Sequence, residues 1–149
     1  MIVYGLYLRK DMVYIPTKAE TPSGSYREIE PVSVVPVSKT EDLRAALKEC
    51  IARGNPPLKS YSPTDQAVVL KYAGVGSFSS FARGAQPWTI VLKDGVYEIR
   101  GQRKRSDKGW EQDPNNTIVF PASTAEDSVV EKMIQILQKP NSSGESRQG

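Results

Sequence analysis

The chain has 149 residues, 38% of them hydrophobic and 25% charged, and a net charge of +3. This composition is typical of one globular domain, and a charge so close to balance does not by itself indicate polyanion binding. The chain has no histidine and one cysteine, Cys50, which excludes an intramolecular disulfide, a Ser-His-Asp triad and most zinc sites. No apolar run reaches the roughly 18 residues of a membrane helix, and the N-terminus lacks the features of a secretory signal. We therefore expect a cytoplasmic protein without membrane contact.

The first residues predict a β-hairpin. Small or aromatic residues alternate with aliphatic ones over 2–8, and an apolar run returns over 12–15 after a short charged break. Pro16 is expected to end the second strand, because proline cannot donate to a strand ladder. Residues 17–25 are polar and predict a loop.

An edge strand and a helix follow. Residues 26–37 are rich in valine, but Pro31 and Pro36 remove two ladder donors, which favours an edge position. Ser38–Glu41 has the spacing of a capping box, and the apolar spacing after it predicts a helix over 39–53. The apolar stripe of this helix comprises Leu43, Ala46, Leu47, Cys50 and Ile51. Because the cysteine lies on the stripe, we expect a buried, inert thiol.

The middle of the chain contains an apolar run and a glycine-containing turn. Residues 67–72, "AVVLKY", are predicted as a buried strand. Gly74-Val75-Gly76 follows, but the third glycine of a dinucleotide fingerprint is replaced by Ser79, so a structural turn is favoured over a nucleotide site. Residues 79–84 predict a single helical turn.

The second half predicts a hairpin, a short strand and a final helix. Residues 87–93 and 96–105 should pair, because the Asp94-Gly95 dipeptide between them tolerates the positive φ of a two-residue turn. Residues 117–120 predict a short strand. Ser123–Glu126 repeats the capping-box spacing before a wide apolar stripe.

The order of elements predicts an α+β fold, in which two main helices pack on one face of a mostly antiparallel sheet. We expect a single domain over residues 1–138. Residues 139–149 contain no apolar residue except proline and predict a disordered tail.

Residues 98–114, "EIRGQRKRSDKGWEQDP", are the most charged stretch of the chain. Strand alternation places Arg100 and Lys104 on one face and Arg103 and Arg105 on the other, which divides the positive charge. The candidate partner-binding residues are Trp110, Arg103, Arg105, Lys108, Arg100 and Lys104.

Three interpretations of this basic stretch remain open: a solvated hairpin end, a surface for an acidic protein partner, or a nucleic-acid contact. Trp110 follows in a predicted polar loop, where an aromatic ring either folds back over the sheet or serves as an exposed interface anchor. A platform for single-stranded nucleic acid would need more aromatic residues on one face.

Carboxylates give no catalytic signature. Glu28 and Glu30 are two apart on a predicted strand and share a face, which fits either a solvated sheet face or part of a binding surface. Acidic residues at the starts of the two helices have a structural role, because they favour the helix dipole. We therefore expect no catalytic residue, no cofactor and no metal site.

The chain resembles the small immunity proteins that accompany bacterial polymorphic toxins, including those of contact-dependent growth inhibition systems. The resemblance lies in the length, the strand-first N-terminus "MIVYGLYL", the absence of a catalytic constellation and the α+β layout. It covers the whole chain without a specific motif, so it assigns no role to any residue. It implies a non-catalytic protein that binds one cognate toxin in a 1:1 complex.

Two further functions remain open beside this one. A nucleic-acid-binding accessory domain would use the basic hairpin over residues 100–108, and its affinity would fall steeply with salt. An enzyme without histidine would use carboxylates or lysine.

Overall fold

The computed structural model describes residues 1–60, 67–105 and 109–139. In chain order, its elements are β1 (Ile2–Arg9), β2 (Met12–Glu20), β3 (Tyr26–Pro36), α1 (Thr40–Arg53), α2 (Val69–Ala73), α3 (Phe78–Ala82), β4 (Ala85–Lys93), β5 (Val96–Lys104), β6 (Trp110–Val119) and α4 (Glu126–Gln138). The strands form one six-stranded sheet in the order β3-β2-β1-β4-β5-β6. All neighbouring strands are antiparallel, which confirms a single-domain α+β fold.

The β1–β2 hairpin turns at Lys10 and Asp11, which have φ angles of 51° and 64°. The expectation that Pro16 ends β2 is wrong, because the strand continues to Glu20. The ladder with β3 shifts register around Pro16. A bulge therefore accommodates the missing proline N–H, and pairing resumes beyond it. The predicted loop begins only after Glu20.

Helix α1 confirms the prediction over 39–53 to within one residue, but the predicted capping box is wrong. Lys39 is the N-cap and makes no side-chain cap bond. The carboxylate of Glu41 binds Arg44 at 2.7 Å instead of reaching back to the helix start. Gly54 follows the helix with a φ of 65°, a conformation that glycine adopts without steric cost.

Helix α2 corrects the prediction of a strand over 67–72. The helix ends at Gly74, which has a left-handed conformation with a φ of 70°. Only Val69 and Leu70 of this helix are buried, so the apolar run covers one side of a short helix. Helix α3 (Phe78–Ala82) confirms the helical turn predicted over 79–84, and the side chain of its N-cap, Ser77, accepts a hydrogen bond from the Ser80 amide.

The β4–β5 hairpin is confirmed, with φ angles of 53° at Asp94 and 77° at Gly95. The loop predicted around Trp110 is wrong, because Trp110 opens β6 and pairs with Lys104 of β5. The capping box predicted at Ser123 is also wrong, since Ala125 is the N-cap of α4.

Two apolar cores flank the sheet. Side chains of α1 and α4 share one core with β1, β2, β4 and β5, and side chains of α2 and α3 form a second core against the first strands. Residues 140–149 of the predicted tail lie outside the described residues. Within the described ranges, no helix has both the length and the apolar character needed to cross a membrane.

Candidate binding surface

Strands β5 and β6 position the residues of the basic stretch. The strand register pairs Lys104 with Trp110, Arg103 with Glu111, and Arg100 with Thr117. Directly paired residues project from the same face of a sheet, and neighbours along a strand project from opposite faces. Arg100 and Lys104 therefore share a face with Trp110, and Arg103 lies on the other face, as the alternation predicts.

Carboxylates pair with two of these arginines. The Nε of Arg103 lies 2.7 Å from Oε2 of Glu111, and its Nη1 lies 3.9 Å from Oδ1 of Asp113. The Nε of Arg100 lies 2.9 Å from Oε1 of Glu98. The surface consequently carries ion pairs at these positions in place of isolated positive charges.

Trp110 is half-buried at the start of β6. The Lys104 ammonium lies 5.7 Å from the centroid of the indole ring, a cation–π contact of about 0.5–1 kcal/mol at an exposed site. The ring is thus held by a neighbouring strand and still has accessible surface.

Of the other two candidates, Arg105 directly follows β5. The amide of Arg105 donates to the carbonyl oxygen of Gly109 at 3.2 Å, and Gly109 has a φ of 94°. Lys108 lies outside the described residues. The five described candidates are therefore distributed over both faces and the end of one hairpin.

A groove that the sequence does not predict lies between α4 and the sheet, on the same face as Arg103. We call it the α4 groove. Its volume is about 810 Å³. Its lining residues are Leu8, Asp11, Val37, Gln86, Trp88, Asn115, Asn116, Thr117, Ile118, Lys132, Ile136, Leu137, Gln138 and Lys139.

A bulge in β6 forms one wall of the groove. Gln102 pairs with Gln112 and Arg100 with Thr117, so residues 113–116 of β6 lie opposite Gly101 alone. A Cβ at Gly101 would lie 2.8 Å from Cβ of Asn116 and 3.0 Å from Cζ3 of Trp88. The first distance is shorter than real Cβ contacts and the second is tighter than most of them, so any side chain at 101 would force Asn116 or Trp88 to shift.

Asp113 holds the bulge in shape. Its Oδ1 accepts a hydrogen bond from the Asn115 amide at 3.0 Å, and its Oδ2 accepts one from Nδ2 of Asn116 at 3.0 Å. The hydroxyl of Thr117 donates to the Asp113 carbonyl oxygen at 3.1 Å. Since Asp113 also lies near Arg103, the basic hairpin and the groove wall share one polar network.

Two glutamines of the groove are fixed by the backbone. Nε2 of Gln86 donates to the carbonyl oxygen of Gln102 at 2.8 Å. Nε2 of Gln138 donates to the carbonyl oxygen of Val37 at 3.0 Å and to Oγ1 of Thr40 at 2.7 Å. These hydrogen bonds fix the orientations of the Gln86 and Gln138 side chains in the groove walls.

The carboxylates of β3 have partners within the chain. Oε2 of Glu28 accepts a hydrogen bond from the Tyr7 hydroxyl at 2.6 Å and lies 3.8 Å from Nζ of Lys18. Burial, together with the negative charge of Glu28, raises the pKa of Tyr7 well above its usual range. Glu30 binds Lys71 and Tyr72. Both glutamates therefore connect β3 to neighbouring elements.

Cys50 is buried, as predicted, with 3% of its surface exposed. Its thiol lies 3.8 Å from the carbonyl oxygen of Pro16. Burial raises the pKa of the thiol, and the nearby Arg53 guanidinium opposes that shift without cancelling it. Because the thiolate is the nucleophilic form, these surroundings disfavour reaction of the Cys50 thiol.

The groove went unpredicted because its residues come from distant parts of the chain. The one local signal is the Asp113-Pro114-Asn115-Asn116 segment, whose residue types favour irregular backbone. Nothing in that segment indicates that it would pack beside Trp88 and α4. A groove of this kind emerges only from the strand order.

Comparisons with known proteins show the fold alone. No protein-family model matches the chain, and no curated protein matches it. Among solved structures, the chain is similar to a protein of unknown function, NMB0488, from Neisseria meningitidis, with a TM-score of 0.65 and 14% sequence identity. The similarity covers 92% of this chain and 93% of that chain, so it extends over nearly the whole α+β domain.

Proposed function

We propose that this protein is a non-catalytic, stoichiometric binding protein, specifically an immunity protein that neutralises a cognate bacterial toxin in the manner of contact-dependent growth inhibition systems. The observation that carries the proposal is the ion-paired basic hairpin, in which Glu111 and Asp113 hold Arg103 and Glu98 holds Arg100. Fixed charges of both signs can pair with opposite charges on a complementary protein surface. A polyanion such as DNA is bound mainly by unpaired cations, which neutralise its phosphates and release its counterions.

Trp110 supports the same function. Tryptophan is among the residues that most often supply the binding energy of protein interfaces. Lys104 positions the ring from the adjacent strand, so little conformational entropy would be lost when a partner covers it.

The two long helices also fit a binding role at this end of the sheet. We propose that α1 and α4 pack together on one face, because their side chains share one core with the sheet and Arg44 of α1 binds Glu131 of α4. This layer leaves β6 at the sheet edge, next to β5, and a partner can reach the edge there.

In the decisive experiment, the purified protein is titrated against a candidate toxin encoded by a neighbouring gene, and toxin activity and growth protection are measured. Activity should fall linearly and reach zero at one equivalent, with a 1:1 complex by light scattering. Inactivation of excess toxin by a trace of this protein would exclude a stoichiometric mode. A fully active toxin at several equivalents, with no complex, would exclude the immunity function.

One observation favours nucleic-acid binding as the second candidate. Arg100, Lys104 and Trp110 project from the same face of β5 and β6, where a base could stack on the ring beside two cations. This function predicts binding of random-sequence DNA or RNA at physiological salt. Each arginine removed should then lower the salt dependence of log K by about one unit.

A further inference from the structure

We propose that the α4 groove receives a protruding loop of the protein partner, and that this loop carries an apolar side chain next to a carboxylate. The inference rests on the proposed function and assigns a docking site for the toxin. It adds a second contact on the helix-covered face, opposite the contact proposed for Trp110.

The apolar walls of the groove are incompletely covered. Leu8, Trp88, Ile118 and Ile136 pack against the core and remain partly exposed. A volume of about 810 Å³ falls within the roughly 300–1,000 Å³ of typical ligand pockets. The groove can therefore bury an apolar side chain together with part of the loop that carries it.

The charges on α4 indicate why the partner's loop should carry a carboxylate. The acids of this helix that face α1 are already paired, Asp127 with Lys48 at 2.9 Å and Glu131 with Arg44. Lys132 and Lys139 line the groove, and neither makes an ion pair within the described parts of the chain. Asp11 is the only carboxylate among the lining residues, so the groove has a surplus of positive charge. An acidic loop complements it.

The C-terminal residues that follow Lys139 in the sequence offer no suitable occupant. Residues 140–149, "PNSSGESRQG", continue from the groove at Lys139 and contain no aliphatic or aromatic side chain. A second copy that met this groove through its own groove, in a symmetric contact, would bring like charges together. A protein partner that supplies both an apolar group and an acid is the occupant that matches the walls and the charge.

The sheet edges do not provide an easier docking route. Pro31 and Pro36 interrupt β3, and the bulge with Pro114 interrupts β6. Proline and bulges at edge strands prevent another strand from pairing over a long stretch. Docking through the groove avoids this obstacle, because it uses side-chain contacts.

Two variants test the proposal with the full chain and its cognate toxin. The double variant Lys132→Glu, Lys139→Glu reverses the groove charge, and Asn115→Trp places a bulky ring at an exposed position of the groove wall. The matched control is Lys59→Glu, Lys93→Glu, which makes the same change in charge at exposed positions that do not line the groove. Thermal unfolding establishes that each variant is folded.

Both groove variants should weaken toxin binding by about tenfold or more, while the control changes it by less than about threefold. Wild-type affinity in both folded groove variants would overturn the groove assignment and leave the immunity function intact. A wild-type protein that neither binds nor neutralises the toxin would instead refute the proposed function, and the docking site with it. Self-association that the groove variants abolish would assign the groove to a second copy and overturn the proposal.

Discussion

The two halves of the six-stranded sheet are covered differently. The half formed by β3, β2 and β1 has α1 on one face and the short helices α2 and α3 on the other. The half formed by β4, β5 and β6 has α4 on one face, beside an open groove, and on its other face the core of α2 and α3 includes, of the described residues, only Ala85, at the start of β4. We call these the closed half and the open half. Most residues of β1 and β2 in the closed half are buried and stabilise the fold, whereas many side chains of β6 in the open half are exposed to solvent.

The polar interactions of the two halves differ in the same way. In the closed half, Arg9 is buried, donates to the Phe81 carbonyl oxygen at 3.0 Å and lies over the Phe81 ring. In the open half, Arg103 is paired but half of its side chain is exposed. In the closed half, Arg9 thus binds a backbone carbonyl oxygen of the short helix α3. In the open half, the exposed part of Arg103 can contact another molecule.

The largest expected effect concerns the thiol of the closed half. Cys50 should react with DTNB at least about a thousandfold more slowly in the native protein than in the denatured protein, because only about one molecule in a thousand or fewer is unfolded at a given time. The raised pKa of the thiol acts in the same direction. The pKa of the Cys50 thiol is higher in the folded protein than in the unfolded protein. The buried neutral thiol therefore contributes to the free energy of unfolding at low pH, and this contribution is lost as the pH rises through the folded pKa. Rapid stoichiometric labelling would show that the closed half opens readily.

The next effect is on stability. Leu47→Ala removes a side chain that is 2% exposed at the centre of the α1 stripe, and it should lower the free energy of unfolding by about 2–5 kcal/mol. Ile136→Ala in the half-buried groove wall should cost less, because solvent can enter the space it leaves. Urea unfolding of both variants measures the difference. Equal losses would remove the energetic distinction between the two halves.

Strong local signals in the sequence predict most of this architecture. The spacing of Leu43, Leu47 and Ile51 predicts α1, and Asp94-Gly95 predicts its hairpin, because both patterns act over a few neighbouring residues. The Val69–Ala73 helix was mistaken for a strand because a short apolar run fits a buried strand and a buried helix equally well. In retrospect, the Gly74 cap was the local signal for a helix.

The open half is less predictable because its geometry depends on long-range pairing. The residue types of Asp113 and Pro114 favour irregular backbone, yet β6 continues on both sides of them, since the bulge places these residues outside the ladder. The positions of Arg103 and Lys104 on opposite faces follow from alternation along β5, whereas the face of Trp110 follows from its pairing with Lys104. The partners Lys104 and Glu111 could be identified only once the β5–β6 register was known.

Trp110 provides a test of binding in the open half. Trp110→Ala should weaken binding of the cognate toxin by at least about tenfold, because truncation of an aromatic anchor usually costs about 2 kcal/mol or more. The fold should survive, since the ring is half-buried on an edge strand. Val119→Ala is the matched control on the same strand, with 61% of Val119 exposed. Calorimetric titration gives the affinities, and equal values for the two variants would remove Trp110 from the interface.

The smallest expected effect concerns Arg103. Arg103→Ala breaks exposed ion pairs with Glu111 and Asp113, so it should change the free energy of unfolding by no more than about 1 kcal/mol. Its effect on toxin binding should appear chiefly in the association rate, because charges at the rim of an interface steer the encounter of two proteins. That rate should fall a few-fold at low salt, and the difference from wild type should shrink as salt screens the charge.

The control is Lys93→Ala, which removes an exposed cation at the end of β4 and should leave the association rate nearly unchanged. Stopped-flow association at several salt concentrations measures both variants. A faster dissociation that persists at high salt would place Arg103 in the buried centre of the interface, and the open half would then use its ion pairs for affinity.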